Sequence, residues 1–506
     1  MNLLLDKKLA DFLREVRRAV PGQKVYLVGG AVRDLVLGRA VKDLDFVVAD
    51  GSVQLAKNVR RRFEGVWYSL DDEHQTARVI LKQGQPGELV LDFTAFIGGN
   101  LEDDLRQRDF TINAMAIDLD NLDEVIDPLG GHEDLRYRRL CLGNPLSLLS
   151  DPLRVLRAVR MVRTLELGTT IEIIEQLRVA TKDINRISGE RIRDELLKCL
   201  AEPGLAKTYE LLREFGILAQ LQDRVFKTKQ VENLPADTKS VFYPSSNIRD
   251  EDGILLSGLT ENGGADLIQK RLSVLEELLL LIEGKNSLAQ SSAQAMQLFS
   301  SSEIQYGMKQ ILGESLQGGR TRKQLLILFA LFFNQQQLFS VCDEAKSESI
   351  CLEFAEKLTN ALMLGQKEQK FLELVCVGYQ RMLFLPMEAV ALQHYHYFKD
   401  VGSFGLESAL LHIIEQSVSS SPNEKDIRLA NKIILTWFTE HDSIVDPPRL
   451  VSGDDLLNNL QLQPGPDMGF YLESVREAQV VGKVRNRDEA LALVLMMMKE
   501  GKNHVR

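Results

Sequence analysis

Leu5, Leu9, Phe12, Leu13 and Val16 recur at helical spacing between charged positions, which predicts an amphipathic helix over residues 1–19. Val25-Tyr26-Leu27-Val28 is a short apolar run that ends in Gly29-Gly30, a strand entering a turn. Ala31 to Leu37 reads as a helix stopped by Gly38, and Asp43 to Val48 as a strand with alternating character at its start. Ala77–Leu81 and Glu88–Phe93 flank Gly84, Pro86 and Gly87 and predict a hairpin. After Pro145 helical periodicity dominates and strand signals almost vanish. Asp151-Pro152 is a favourable helix start, a capping carboxylate followed by proline at the first helical position. Three stretches interrupt the helical region and predict loops or linkers: Asn233–Ala265, the Ser/Gln-rich Asn286–Ser302, and Ser417–Lys425. No internal repeat is evident.

A chain of 506 residues predicts more than one domain, and its 44% apolar and 26% charged residues are ordinary globular composition. The five cysteines (Cys141, Cys199, Cys342, Cys351, Cys376) are widely spaced with no C-x-x-C pair, which reads as free thiols in a reducing compartment. Asp6, Lys7, Lys8, Asp11 and Arg14 break every apolar run near the N-terminus, so no signal peptide is expected. Apolar runs such as Leu325–Phe333 are too short to span a bilayer, and a soluble, cytoplasmic protein is expected. The net charge of −11 argues mildly against nucleic-acid binding unless basic side chains gather on one face.

On one helical stretch they do. Val155, Leu156, Val159 and Val162 fall on one half of the wheel; Arg154, Arg157, Arg160 and Arg163 fall on the other. The chemistry, however, starts upstream, at Gly29-Gly30, Arg33 and Asp43-x-Asp45. Two aspartates at i and i+2 on a strand point to one face and offer hard oxygen ligands to a pair of divalent cations. A Gly-Gly turn before a helix lets backbone N–H groups approach a triphosphate, and Arg33, one turn on, adds a charge-assisted contact. D-x-D pairs and Gly-Gly turns are each common. Their order here, strand, Gly-Gly, helix, strand, D-x-D, is what points to nucleotidyl transfer.

The stretch Leu27-Val28-Gly29-Gly30-Ala31-Val32-Arg33-Asp34 to Lys42-Asp43-Leu44-Asp45 resembles the signature of polymerase-β-like nucleotidyltransferases, in the class of bacterial tRNA nucleotidyltransferases (CCA-adding enzymes) and poly(A) polymerases. Arg108-Asp109-Phe110-Thr111-Ile112-Asn113 resembles that class's second motif, which implies contacts of Arg108, Asp109 and Asn113 with ribose and phosphates. Asp127-Pro128, Gly130-Gly131 and Asp134-Leu135 resemble its turn motif. Asp151-Pro152-Leu153-Arg154 to Arg160 resembles its base-selecting helix, and Glu190-Arg191 to Leu196 its neck motif. Ser452-Gly453-Asp454-Asp455-Leu456, Pro464-Gly465-Pro466 and Glu489-Ala490-Leu491 are similar to its tail.

The resemblance implies an α+β nucleotidyltransferase head over 1–140, an all-α neck over 141–205, a helical body over 206–440 that would bind tRNA, and a helical tail over 441–506. It implies two Mg²⁺ on Asp43 and Asp45, CTP and in some members ATP as substrates, and the tRNA acceptor arm and 3′ end as partner, gripped by shape. An Asp accepts from an exocyclic amine and an Arg donates to a ring acceptor, so Asp151 and Arg154 together would favour C and A over U and G. Arg157 is expected to touch nucleotide; Arg160 is placed with it as a candidate, and Arg163 is left open. Asp92, a third carboxylate on a neighbouring strand, would complete the metal site or activate the 3′-hydroxyl; a strand-edge aspartate facing water is the alternative. Glu190, Arg191 and Glu195 are expected to pair along their own helix.

Two departures stand out. Ser150 occupies a position that is acidic in most relatives. The segment between Asp92 and Arg108 is short, whereas members that complete the CCA end resemble one another in carrying a longer loop there. The expectation is therefore tRNA 3′-end nucleotidyl transfer, complete or CC-only, with the short segment favouring a CC-adding enzyme whose product a separate A-adding enzyme would finish. An A-adding enzyme or poly(A) polymerase of the same class, and a non-catalytic RNA-binding protein that kept the fold, are the alternatives.

Overall fold

The computed structural model describes residues 5–71, 75–226, 261–285, 298–316, 318–333, 344–386, 389–419 and 423–503. Cys342, most of the break at Asn233–Ala265, residues 286–297 and residues 420–422 lie outside the described residues. Two compact units divide the chain: Met1–Glu202 with Glu210–Leu221, and Pro203–Tyr209 with Gln222–Arg506.

The first unit is built on a seven-stranded sheet of order β3-β4-β5-β2-β1-β6-β7. The strands are β1 Val25–Val28, β2 Asp43–Val48, β3 Val66–Asp71, β4 Thr76–Leu81, β5 Leu89–Ala95, β6 Ala116–Asp118 and β7 Asn121–Ile126. Every pairing is antiparallel except the central β2–β5 pair, which is parallel. A parallel pair needs a crossover, and here it runs through helix α3 (Ser52–Phe63), β3 and β4. The period of two then sorts the side chains. Leu44 and Phe46 of β2, Leu91 and Phe93 of β5, and Ala77 and Val79 of β4 are buried, and the Phe46 and Phe93 rings stack at 5.0 Å. Helix α3 packs on β4 and β5 with Leu55, Ala56 and Val59 buried. Asp43, Asp45 and Asp92 take the alternate positions, on the opposite face.

The remaining helices of this unit are α1 (Lys7–Arg18), α2 (Gly30–Val36), α4 (Leu101–Arg106), α5 (Gly131–Arg136), α6 (Ser147–Ser150), α7 (Arg154–Leu165), α8 (Ile171–Thr181) and α9 (Gly189–Ala201); the division between units falls within α10 (Leu205–Glu214) and α11 (Ile217–Phe226). Of the start expected at Asp151-Pro152 the structure keeps a turn, but α7 itself begins at Arg154 with Leu153 as its N-cap. The Asp151 carboxylate accepts from the Leu153 N–H at 3.3 Å, and i+3 backbone bonds through Pro152 and Leu153 lead into α7. Helices α7 and α9 pack together, and the Cys199 thiol of α9 donates to the Leu156 carbonyl of α7.

The second unit is helical: α12 (Glu261–Ile282), α13 (Ser302–Gly313), α14 (Arg322–Phe332), α15 (Glu344–Leu362), α16 (Gln366–Phe384), α17 (Ala391–Val401), α18 (Gly405–Val418), α19 (Glu424–Thr439), α20 (Gly453–Leu460), α21 (Pro466–Val480) and α22 (Arg487–Asn503). Two expected breaks are shorter than read: α12 starts at Glu261 and takes in Gly263 and Gly264, and α18 and α19 close on the Ser-rich break from both sides. Burial of Leu272, Leu275 and Leu278 outweighs the helix cost of two glycines, about 1 kcal/mol each. The core contains ion pairs that the helical pattern gave no sign of. Arg271 pairs with Glu415, and Arg322 donates to both Glu407 oxygens at 2.7 and 2.6 Å, all four side chains being at most 2% exposed. In the tail segment, Ser452 and Asp455 form a capping box that starts α20, so the Ser-Gly-Asp-Asp motif there is a helix-initiation device.

Two histidines are buried in this helical core. His412 and His394 are each 1% exposed, and burial pushes both down to about 4. Unfolded histidine takes its proton near pH 6.5, so the folded state binds fewer protons between pH 6.5 and about 4. Stability is therefore full above pH 6.5 and is expected to fall as pH drops through that window, by up to about 3 kcal/mol per histidine. Melting temperature from pH 7 to pH 5 checks this: His412→Gln should flatten the decline, and an unchanged decline would show that other groups govern it.

Among the described residues, no helix is long and apolar enough to cross a membrane. Cys199, Cys351 and Cys376 are buried and Cys141 half-buried, and all four are free thiols.

Candidate active site

Strand β1 delivers Gly29 to the edge of a cavity in a conformation reserved for glycine, φ 75° and ψ −137°. A Cβ there would stand 2.9 Å from Arg108 Nη1 and 3.5 Å from Asp45 Oδ2. Gly30 opens α2, and Arg33, one turn along, lies 11% exposed with Nη1 donating to Asn113 Oδ1 at 2.6 Å and Nε to Asp34 Oδ1 at 2.9 Å.

The strand register sets the acidic row. Asp45 of β2 lies opposite Asp92 of β5, and Asp92 opposite Arg78 of β4. The two charged neighbours on β5 and β4 are locked: Arg78 Nε and Nη2 donate to Asp92 Oδ1 and Oδ2, each at 2.8 Å. Among the described residues, Asp43 and Asp45 have no such partner. Burial above all, then the charge of Asp92, pushes the Asp45 carboxyl up; Asp43 adds to this, while Arg108 and Arg157 pull it down. Two hard oxygen donors on one face, at a site where negative charge is under-compensated, fit a divalent cation.

The segment after α4 supplies the opposite wall. Arg108 donates to Asp104 Oδ2 through Nη2 at 3.0 Å. Asp109, 3% exposed, accepts from the Phe110 N–H (2.9 Å) and Asn113 Nδ2 (3.2 Å) and pairs with Arg157 at 2.9 Å. The turn motif downstream braces this wall. Asp127 caps α5 by accepting from the Gly131 and His132 N–H groups at 2.8 and 2.9 Å, and Asp134 accepts from the Thr111 hydroxyl at 2.7 Å. A Cβ on Gly131 would meet the Thr111 carbonyl oxygen at 2.2 Å, so only glycine permits this approach.

Helix α7 closes the site with arginines. Arg154 Nη1 donates to the Gln107 carbonyl at 3.2 Å, and burial lowers its pKa. Arg160 Nε donates at 2.6 Å to Glu195, a buried carboxylate of α9. Asp151 Oδ2 accepts from Arg191 of α9 at 2.8 Å. The pairing expected along α9 itself is thus replaced by contacts to α7: Arg191 reaches Asp151, and Glu195 binds Arg160 while Lys198, on its own helix, stands at 3.5 Å. The Ser150 hydroxyl donates back to the Ser147 carbonyl at 2.9 Å.

The resulting cavity is about 710 Å³. It brings together Gly29, Gly30, Arg33, Asp43, Asp45, Arg108, Asp109, Asn113, Arg154, Arg157 and Arg160. Asp92 and Asp151 are not among its lining residues. Lys42, Lys198, Met161, Thr164, Asp34 and Glu202 line it as well and were not anticipated as site residues; Arg78 was missed altogether. The hairpin pattern carried one usable signal for Arg78, since the register of β4 on β5 places it opposite Asp92.

Residues 25–141 match the family described as "Poly A polymerase head domain", residues 170–225 "Probable RNA and SrmB- binding site of polymerase A", and residues 406–495 "tRNA nucleotidyltransferase domain 2". The chain is 26% identical to the CC-adding tRNA nucleotidyltransferase of Synechocystis over 95% of its own length and 96% of the relative's. It is 28% identical to the CC-adding tRNA nucleotidyltransferase of Geobacter sulfurreducens, covering 93% and 91%. The A-adding tRNA nucleotidyltransferase of Deinococcus radiodurans is 26% identical, covering 92% and 94%. In fold, it is similar to the Thermotoga maritima CCA-adding enzyme complexed with tRNA, with a TM-score of 0.60 over 98% and 96% of the two chains at 20% identity.

A mixed sheet that presents two aspartates beside a glycine turn and an arginine-lined cavity, followed by helices, is the head of a nucleotidyltransferase. The chain belongs to the class II tRNA nucleotidyltransferases, the family of CCA-adding enzymes and bacterial poly(A) polymerases.

Proposed function

We propose that this protein adds two cytidylates from CTP to the 3′ end of tRNA and leaves the terminal adenosine to a separate A-adding enzyme. The observation that carries the chemistry is the open face of β2, where Asp43 and Asp45 meet the Gly29 turn and the arginines of α7 in one cavity. Held by Asp43 and Asp45, two Mg²⁺ would supply the positive charge that activates the tRNA 3′-hydroxyl and stabilises the leaving pyrophosphate. The Gly29 turn brings up the Gly30 backbone N–H, and Arg33 presents its guanidinium, to the triphosphate. Arg108, Asp109 and Asn113 hold the ribose and phosphates. Arg157 and Arg160 complete the electrostatic clamp. Arg154 donates to the base, while Asp151, outside the cavity lining and held by Arg191 and the Leu153 N–H, is not assigned to it.

The cytidine-only reading is supported by the connection after β5. It ends at Ala95, α4 begins at Leu101, and the residues between are tied down: the Ile97 N–H donates to Asp104 Oδ1 at 3.1 Å and Asn100 caps α4. A short, braced connector leaves little slack for reshaping the pocket toward ATP. The long alignments with CC-adding relatives support the same reading; the similarity to an A-adding relative keeps adenosine addition as the second one. Asp43 and Asp45, unpaired with arginine or lysine among the described residues, favour catalysis over an RNA-binding role alone.

The test supplies Mg²⁺, tRNA transcripts ending before CCA or in CC, and labelled CTP and ATP, separately and together. Two cytidines on the first transcript and no extension of the second are expected. A full CCA end would show that the connector does not restrict addition. Single adenosines on the CC-ended transcript, or long adenosine tails, would favour the second reading.

A further inference from the structure

Three carboxylates share one face of the sheet, yet they are treated differently. Asp43 and Asp45 line the cavity, and among the described residues neither is paired with an arginine or lysine. Asp92, directly opposite Asp45, lies outside the cavity lining with both oxygens taken by the Arg78 fork at 2.8 Å. Arg78 comes from the next strand in the same row, so sheet register alone brings the fork to the carboxylate. Both side chains are partly covered, at 39% and 23% exposure, and the contact is bidentate, the geometry in which an arginine is hardest to replace.

We propose that Arg78 is a positioning residue that holds Asp92 out of the cation site, so that two aspartates rather than three take the divalent cations; this rests on the reading of Asp43 and Asp45 as the cation ligands. A fork that occupies both oxygens of Asp92 leaves it able to coordinate a cation only by giving up the ion pair. It also offsets one of the three negative charges on this face. Cation affinity in the free enzyme is thereby kept low, and most of the binding is left to coincide with arrival of the triphosphate, whose own oxygens complete the coordination. Removing Arg78 converts Asp92 into a third available ligand. Replacing it with lysine keeps the charge but loses the fork.

The experiment measures Mn²⁺ alone binding to the full chain, without nucleotide or tRNA, by the loss of the free-ion electron paramagnetic resonance signal. Arg78→Leu is expected to tighten Mn²⁺ binding about tenfold, and Arg78→Lys by an intermediate factor. The gain should vanish in Arg78→Leu/Asp92→Asn, which restores the charge balance and removes the extra ligand. Unchanged affinity in both single variants would overturn the proposal. So would a gain that persists in the double variant, or a double variant bound far more weakly than the native protein, since Asp92 would then already be a ligand. Circular dichroism separates these outcomes from misfolding, and Arg78→Lys keeps the test open if the leucine variant does not fold. Asp45→Asn serves as the reference. Native binding that Asp45→Asn abolishes, with no response to Arg78, sinks only the role of Arg78. Absence of Mn²⁺ binding in the native protein and in Arg78→Leu alike sinks the cation-ligand reading together with it.

Discussion

Asp45→Asn is expected to lower nucleotide incorporation by on the order of a thousandfold while leaving the protein as stable as before, or slightly more so. The two halves of this expectation come from one observation. The Asp45 carboxyl is pushed up by burial and by Asp92, so the fold disfavours the very charge that a cation needs. Asparagine keeps the shape, removes the repulsion and removes the anionic ligand. A group raised in the folded state destabilises that state wherever it is ionised, so neutralising it should hold or raise the melting temperature near pH 7. Asp43 lies at the exposed end of β2, and no comparable relief is expected there. Single-turnover incorporation paired with thermal melting separates the cases. A variant that melts several degrees lower would mean that Asp45 is structural, and a variant that retains activity would remove it from the site.

Much of this site was legible because it is local. A glycine turn, a helix about two turns long and two aspartates at i and i+2 declare themselves over some twenty residues, and the strands at Val25–Val28 and Asp43–Val48 appear where the apolar pattern puts them. The Ala77–Phe93 hairpin does too. What the pattern hid was set by packing at long range. Strand β3 lies at the edge of the sheet with mostly exposed residues, so it shows no alternation and gave no signal. Strands β6 and β7 are short and joined by a tight turn. The ion pairs Arg78–Asp92, Arg191–Asp151 and Arg160–Glu195 link residues brought together only by register or by the packing of α7 on α9. Glu195 keeps a partner on its own helix, Lys198 at 3.5 Å, but its closer one lies elsewhere for a physical reason: it is buried, at 5% exposure, and a buried carboxylate requires a close cation, which Arg160 of α7 supplies. The tail and turn motifs, by contrast, were read correctly as landmarks but not as mechanics; they are helix caps and close approaches that brace the elements around them.

Gly29→Ala should be severely damaging to activity, and Gly30→Ala only mildly so, although the two glycines are neighbours. At Gly29 the backbone sits at φ 75° and ψ −137°, where a side chain costs about 1–3 kcal/mol before any contact is counted. The new Cβ then meets Arg108 Nη1 at 2.9 Å, with Asp45 Oδ2 at 3.5 Å beside it. The guanidinium end could move, but it is anchored to Asp104, and Asp104 also holds the Ile97 N–H at the start of the connector into α4. Relief of the clash therefore disturbs a proposed phosphate contact, a cation ligand and the connector together. Incorporation is expected to fall on the order of a hundredfold, with a rise in the KM for CTP and a melting temperature lower by several degrees. At Gly30 the φ lies outside the left-handed region, and a Cβ would stand 3.5 Å from Arg33 Nη2, an ordinary contact with the end of a flexible side chain. Only a few-fold loss is expected there. Equal effects at the two positions would mean that the Gly-Gly pair acts as a flexible hinge rather than as one strained residue and one helix start, and would move the burden of phosphate binding from the fixed turn to the arginines of α7.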